Sequence, residues 1–208
     1  KEVFANFIAD KIVATQFPQM RHDLQFFLGN HGWAYAVDRS AGANPIRQPL
    51  DNLGEAGSLY GPIIYSKSPV VMRQLEALLG ETAFRDGVRA YLRRHAFGNA
   101  TWDDLIAALA GSTKLDLKQW SHMWIDEPGR PVIRTELEVK DGRVKRLALR
   151  QRDPLGRDRV WPQQLRVSIG CDGHAKRIVA DLVSREVDLT RSLDGCVPDY
   201  VLAGGEGT

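Results

Sequence analysis

The sequence predicts an α+β chain, with a helical part over residues 1–129 and a small antiparallel β part over residues 130–208. Three observations carry this. Up to about residue 126, apolar residues recur at helical spacing, as in Val71, Leu75, Leu78 and Leu79. The run Glu127-Pro128-Gly129-Arg130-Pro131 then stops the helical pattern abruptly. Beyond Pro131 the period falls to two, and the Asp-Gly pairs Asp141-Gly142, Asp172-Gly173 and Asp194-Gly195 mark turns among the alternating runs.

The first helix is expected over residues 1 to about 14, with Val3, Phe4, Phe7, Ile8 and Ile12 on one broad apolar face. Glu2 lies opposite. A carboxylate on a buried helix needs a partner, whereas one at a frayed chain start needs none. Phe17-Pro18 breaks the pattern, and a second helix is expected over 20–38 with Leu24, Phe27, Leu28 and Ala34 inward, weakened by Gly29 and Gly32. His22 and His31 lack a second His or Cys four residues on, so they are read as surface or hydrogen-bonded histidines, not metal ligands. Residues 39–62 form a long irregular connection rich in Gly, Asn, Pro and Asp. Loops of that length are uncommon unless functional, so Arg47, Asn52 and Glu55 are candidates to face a ligand.

That connection delivers Tyr65 to the entrance of a helix that starts near Pro69 and closes at Gly80; on spacing alone Tyr65 reads as a partly buried core tyrosine, the alternative being a hydroxyl held still on a well-anchored helix. A further helix is expected over 81–97 with Phe84, Val88, Tyr91 and Leu92 inward. Thr101-Trp102-Asp103-Asp104 has the form of a capping box and begins a short helix to about Ala110. The last helix, near 115–126, carries Leu117, Trp120, Met123 and Trp124. In the β part, Ile133, Leu137 and Val139 pair through the first Asp-Gly turn with Val144, Leu147 and Leu149. The segments 164–169 and 176–183 flank the second turn, and a sandwich is expected.

The 208 residues are 43% hydrophobic and 26% charged, an ordinary globular balance. The net charge of +2 gives no argument for nucleic acid. Nine basic and five acidic side chains between Arg134 and Arg159 are interspersed, as on the wet face of a sheet. No run of eighteen apolar residues offers a membrane span. The chain opens inside a helical pattern with no leader and closes in turn chemistry at Gly204–Thr208, so it reads as a piece of a longer protein with an incomplete β part. An upstream signal peptide would be invisible. Cys171 and Cys196 match no metal-ligand spacing; they are reduced or bridged, and a reducing, cytoplasmic compartment is favoured.

Four local patterns, collinear over residues 1 to about 133, resemble the zinc aminopeptidases of the aminopeptidase N family, the thermolysin-like gluzincins. Lys1-Glu2-Val3-Phe4-Ala5 resembles the N-E-G-F-A segment, whose Glu is the third zinc ligand. Tyr65-Ser66-Lys67-Ser68 resembles Y-x-K-G, whose Tyr steadies the transition state. Phe97-Gly98-Asn99-Ala100-Thr101 with Asp104-Leu105 resembles Y-G-N-A-T-x-x-D-L. Trp124 with Pro128-Gly129-Arg130-Pro131-Val132 resembles W-x-x-Q-P-G-x-P-V. The β part agrees in type only.

The resemblance implies a zinc-dependent peptidase removing N-terminal residues from peptides, with Glu2 as a metal ligand, Tyr65 as a catalytic hydroxyl and residues 1–129 as the C-terminal half of the catalytic domain. Ser68 and Val3 depart from the pattern, each standing where the family has glycine. The H-E-x-x-H helix and the G-x-M-E-N strand do not occur in these residues, so the partner implied is the N-terminal remainder of the same polypeptide. The chain alone is then expected to be inactive. The alternative is an inactive relative or a module for protein contacts, and an H-E-x-x-H ending about eighteen residues before Glu2 would decide for the peptidase.

Overall fold

The computed structural model describes residues 2–204; the side chain of Glu2 and residues 1 and 205–208 lie outside what is described. The chain divides into two compact units. One holds the residues up to Val37 together with Asn44–Pro128, and the other holds Asp38–Ala43 together with the chain from Gly129 onward.

The first unit is helical. Helix α1 (Glu2–Gln16) runs slightly beyond its expected end and buries Phe7 edge-on against Phe84, with ring centroids 5.5 Å apart. Next come α2 (His22–Phe26), a π-helical turn (Phe27–His31) and α3 (Gly32–Asp38). The extra residue per turn in the π segment changes the helix phase. Phe26, His31 and Ala34 are buried, while Leu24, Phe27 and Leu28, expected inward, are exposed, Leu28 at 66%; Leu24 is already turned outward in α2, before the π segment. Only Ala34 of that predicted face points into the core.

Helix α4 (Ser68–Leu79) buries Pro69, Val71, Met72 and Leu75 and ends at Gly80, whose φ of 81° is the conformation glycine adopts cheaply. Helix α5 (Glu81–Arg94) is shorter than expected; it buries Phe84 and Val88 but leaves Leu92 exposed. Helix α6 (Trp102–Ala110) begins with the capping box anticipated from Thr101 and Asp104. The Asp104 amide donates to Thr101 Oγ1 at 3.2 Å, and the Thr101 amide donates to Asp104 Oδ2 at 2.8 Å. Those Thr101 bonds favour the ionised carboxylate and hold Asp104 below its ordinary pKa. Helix α7 (Leu117–Ser121), capped by Asp116, continues into a π turn (His122–Asp126) that buries Trp124 and Ile125.

The second unit is a pair of antiparallel sheets. Strands β1 (Val132–Lys140), β2 (Arg143–Arg152) and β5 (Glu186–Asp188) form one, in the order β1-β2-β5. Strands β3 (Gln163–Cys171), β4 (His174–Leu182) and β6 (Tyr200–Ala203) form the other, in the order β4-β3-β6. In the two hairpins Asp141-Gly142 and Asp172-Gly173 both residues have positive φ, the geometry that matches the twist of the flanking strands. Inward residues of both sheets, among them Leu147, Leu149, Leu165, Val167, Ile169 and Leu182, share one core. This is the expected sandwich. The outer half of β1 is not part of that core: Leu137 and Val139, which flank a register shift between Glu138 and Val139, are exposed.

Three basic residues of the stretch between Arg134 and Arg159, Arg146, Arg150 and Arg157, are paired with carboxylates. Arg146 bonds Glu136 at 2.8 Å and also Glu186, which Arg150 meets at 3.2 Å. Cys171 and Cys196 are joined in a disulfide that ties the end of β3 to the turn before β6. Closing a loop of 25 residues in this way stabilises the unit by roughly 3–4 kcal/mol.

Candidate active site

Tyr65 sits in the middle of a π-helical turn, Ile63–Lys67, that leads directly into α4. The turn is held at both ends. Ahead of it the amides of Ile64 and Tyr65 both donate to the Gly61 carbonyl, at 3.0 and 2.9 Å. Behind it Ser68 donates to the Ile63 carbonyl through its amide, and through its hydroxyl at 3.0 Å. Ile63 and Lys67 are buried, and Tyr65 between them is 40% exposed. Its ring lies against that of Tyr60, centroids 5.8 Å apart and planes tilted by 48°. The Tyr65 side chain is therefore anchored by rigid backbone yet open to solvent, as a hydroxyl that must meet a ligand requires.

Glu2 is the first residue of α1, and its side chain lies outside the described residues. The residues that follow it, Val3 and Phe4, line a cavity of about 440 Å³. Ile64 and Ser68, on either side of Tyr65, line the same cavity. The first turn of α1 and the turn carrying Tyr65 are thus neighbours around one space within the helical unit. The remaining walls come mainly from Met72, Tyr91, Leu92, Leu105 and Ile125, and are mostly apolar.

The long connection before Tyr65 lines this cavity through Ile46 and Arg47, and Arg47 also fixes its course. The Arg47 amide donates to the Ile125 carbonyl at 2.9 Å. Its guanidinium bonds both carboxylate oxygens of Asp103 at 3.1 Å and approaches Asp126 at 2.8 Å. The hydrogen bonds it donates to Asp103 lead in holding the guanidinium protonated even beyond its usual range. Arg47 therefore staples the connection to α6 and to the last π turn, a role set by partners far along the chain. Asn52 caps a short 3₁₀ helix (Leu53–Leu59) by accepting from the Gly54 amide at 2.9 Å. Glu55 stays exposed within that helix.

His22 is hydrogen-bonded, one of the two settings expected of it, whereas His31, expected at the surface or hydrogen-bonded, is buried among aromatic rings. His22 Nε2 contacts Asp10 Oδ1 at 2.9 Å, and His31 is buried among Phe26, Phe27 and Tyr35. Among the described residues no group of three or more His, Cys, Asp or Glu side chains is placed to hold a metal ion. Among them, too, no helix is long and apolar enough to cross a membrane.

Comparison with known proteins agrees with the four local patterns. Residues 1–124 match the model of the peptidase family M1 domain. Aminopeptidase N of Streptomyces lividans is 37% identical over 166 residues, covering 75% of this chain and 19% of that protein. Aminopeptidase N of Lactobacillus helveticus is 31% identical over 153 residues, covering 73% of this chain and 17% of its own length. The puromycin-sensitive aminopeptidase of Caenorhabditis elegans is 26% identical over 216 residues, covering 100% of this chain and 22% of the relative. The chain thus spans about a fifth of the length of these relatives. With the family match extending over more than half of its residues, this chain belongs to peptidase family M1.

Proposed function

We propose that this chain is the C-terminal half of the catalytic domain, with part of the following β domain, of a zinc-dependent peptidase that removes N-terminal residues from peptides. The observation that carries the reading is the mount of Tyr65: a half-exposed phenol on a doubly anchored π turn, beside the first turn of the helix that Glu2 begins.

A catalytic zinc takes three protein ligands and keeps a position open. The described residues offer no such set, so this chain supplies one ligand, Glu2, and the others belong to the polypeptide upstream. When bound, the zinc polarises the scissile carbonyl and brings the pKa of a water toward neutrality. Tyr65 acts on the substrate side. A phenol is neutral near pH 7 and donates one hydrogen bond, which Tyr65 directs at the oxyanion that develops as the peptide carbonyl becomes tetrahedral. Because its backbone is held from Gly61 and from Ser68, the hydroxyl needs little rearrangement as charge builds.

The bridged cysteines bear on the compartment. The sequence favours a reducing, cytoplasmic compartment, whereas a disulfide persists most readily in oxidising surroundings, so the bridge is the feature that argues the other way.

The division of ligands is tested on the chain itself. One carboxylate is far short of a zinc site, so the purified chain is expected to retain no stoichiometric zinc after dialysis against a weak chelator. Elemental analysis finding one zinc per chain would overturn the proposal that the site is completed from outside.

A further inference from the structure

Ser68 is 2% exposed and stands where the resembling family carries glycine. Its amide and its hydroxyl both donate to a single acceptor, the Ile63 carbonyl, and the ring so closed encloses Tyr65. An i→i+5 amide bond of this kind defines a π turn. The following residue is Pro69, which has no N–H. In a regular α-helix that missing N–H is the one that would bond the Tyr65 carbonyl. Pro69 removes the donor in either register, to the Tyr65 carbonyl in an α turn and to the Ile64 carbonyl in a π turn, so it is the Ser68 hydroxyl, added to the amide at Ile63, that reinforces the π turn.

We propose that Ser68 is a positioning residue, whose hydroxyl locks the π turn and thereby sets the direction of the Tyr65 phenol. This rests on the catalytic reading of Tyr65. It assigns Ser68 a function beyond filling space: a side-chain bond replaces the conformational freedom of the family's glycine. The serine hydroxyl donates to the Ile63 carbonyl and acts through the backbone of the turn.

The test uses the full-length parent and four variants: Ser68→Ala, Ser68→Thr, Tyr65→Phe and the double variant Ser68→Ala/Tyr65→Phe. Turnover of an aminoacyl-arylamide and hydrogen exchange of amides 64–68 are measured on each. Removing one net hydrogen bond corresponds to about fivefold, so Ser68→Ala should lower kcat by about that factor and speed exchange in the turn by a similar one. KM should stay within about twofold, because the loss concerns transition-state alignment. Ser68→Thr keeps the hydroxyl and should restore both readings. In the Tyr65→Phe background Ser68→Ala should cost no further kcat beyond about twofold, since the group being aimed is gone.

An unchanged kcat in Ser68→Ala beside a strongly impaired Tyr65→Phe would overturn the proposal and leave the catalytic reading intact. An equal fall in both backgrounds would also overturn it, marking a general structural role. An unimpaired Tyr65→Phe would remove the catalytic reading instead, with exchange in the turn still reporting whether Ser68 holds it.

Discussion

Tyr65→Phe in the full-length parent is expected to lower kcat by about 10²–10³ and to leave KM within about threefold. The size follows from what the substitution removes. Phenylalanine keeps the ring that packs on Tyr60, and the bonds from Gly61 and Ser68 are made by other groups. Only the hydroxyl is lost, and a donor aimed at a developing oxyanion is worth far more in the transition state than in the substrate complex. Because Tyr65 is 40% exposed, stability should change by less than about 0.5 kcal/mol. Steady-state kinetics on an aminoacyl-arylamide checks this, and unchanged turnover would refute the role.

Glu2→Ala should weaken zinc binding by the parent more than about 100-fold, since residues that merely orient a ligand already cost roughly 10–100-fold. The helix that Glu2 begins should survive the change. Helix α1 is anchored further along by Phe7 packed on Phe84, and Lys11 pairs with Glu76 on α4. Glu2→Asp, with its carboxylate one methylene shorter, should fall between. Competition against a chromogenic chelator ranks the three proteins, and equal affinity in Glu2→Ala would remove Glu2 from the ligand set.

Much of the architecture is legible from local rules. The Thr101–Asp104 cap, the positive φ at Gly80 and the Asp-Gly hairpins are each decided by a few adjacent residues, and all appear as expected. The inward face of residues 20–38 is not legible, because a π turn shifts the phase and no local pattern announces it. Phe27 and Leu28 are expected inward on a strict helical period that the chain does not keep, and Leu24 is already turned outward in α2. Strand β5, three residues long, is too short to alternate visibly. The cysteine pairing and the Arg47 staple depend on partners distant in sequence, which spacing does not reveal. Tyr65 is legible as a candidate through the Y-x-K pattern, but the π turn that mounts it and the bond from Ser68 to Ile63 are visible only in three dimensions.

The proposal that Glu2 ligates the metal while Tyr65 acts on the substrate is tested most directly by zinc content. The full-length parent, its Tyr65→Phe variant and its Glu2→Ala variant are dialysed together against a chelator and analysed for metal. One zinc per chain in the first two and almost none in the third is the predicted result. A Glu2→Ala protein that keeps its zinc through the same dialysis would contradict the account.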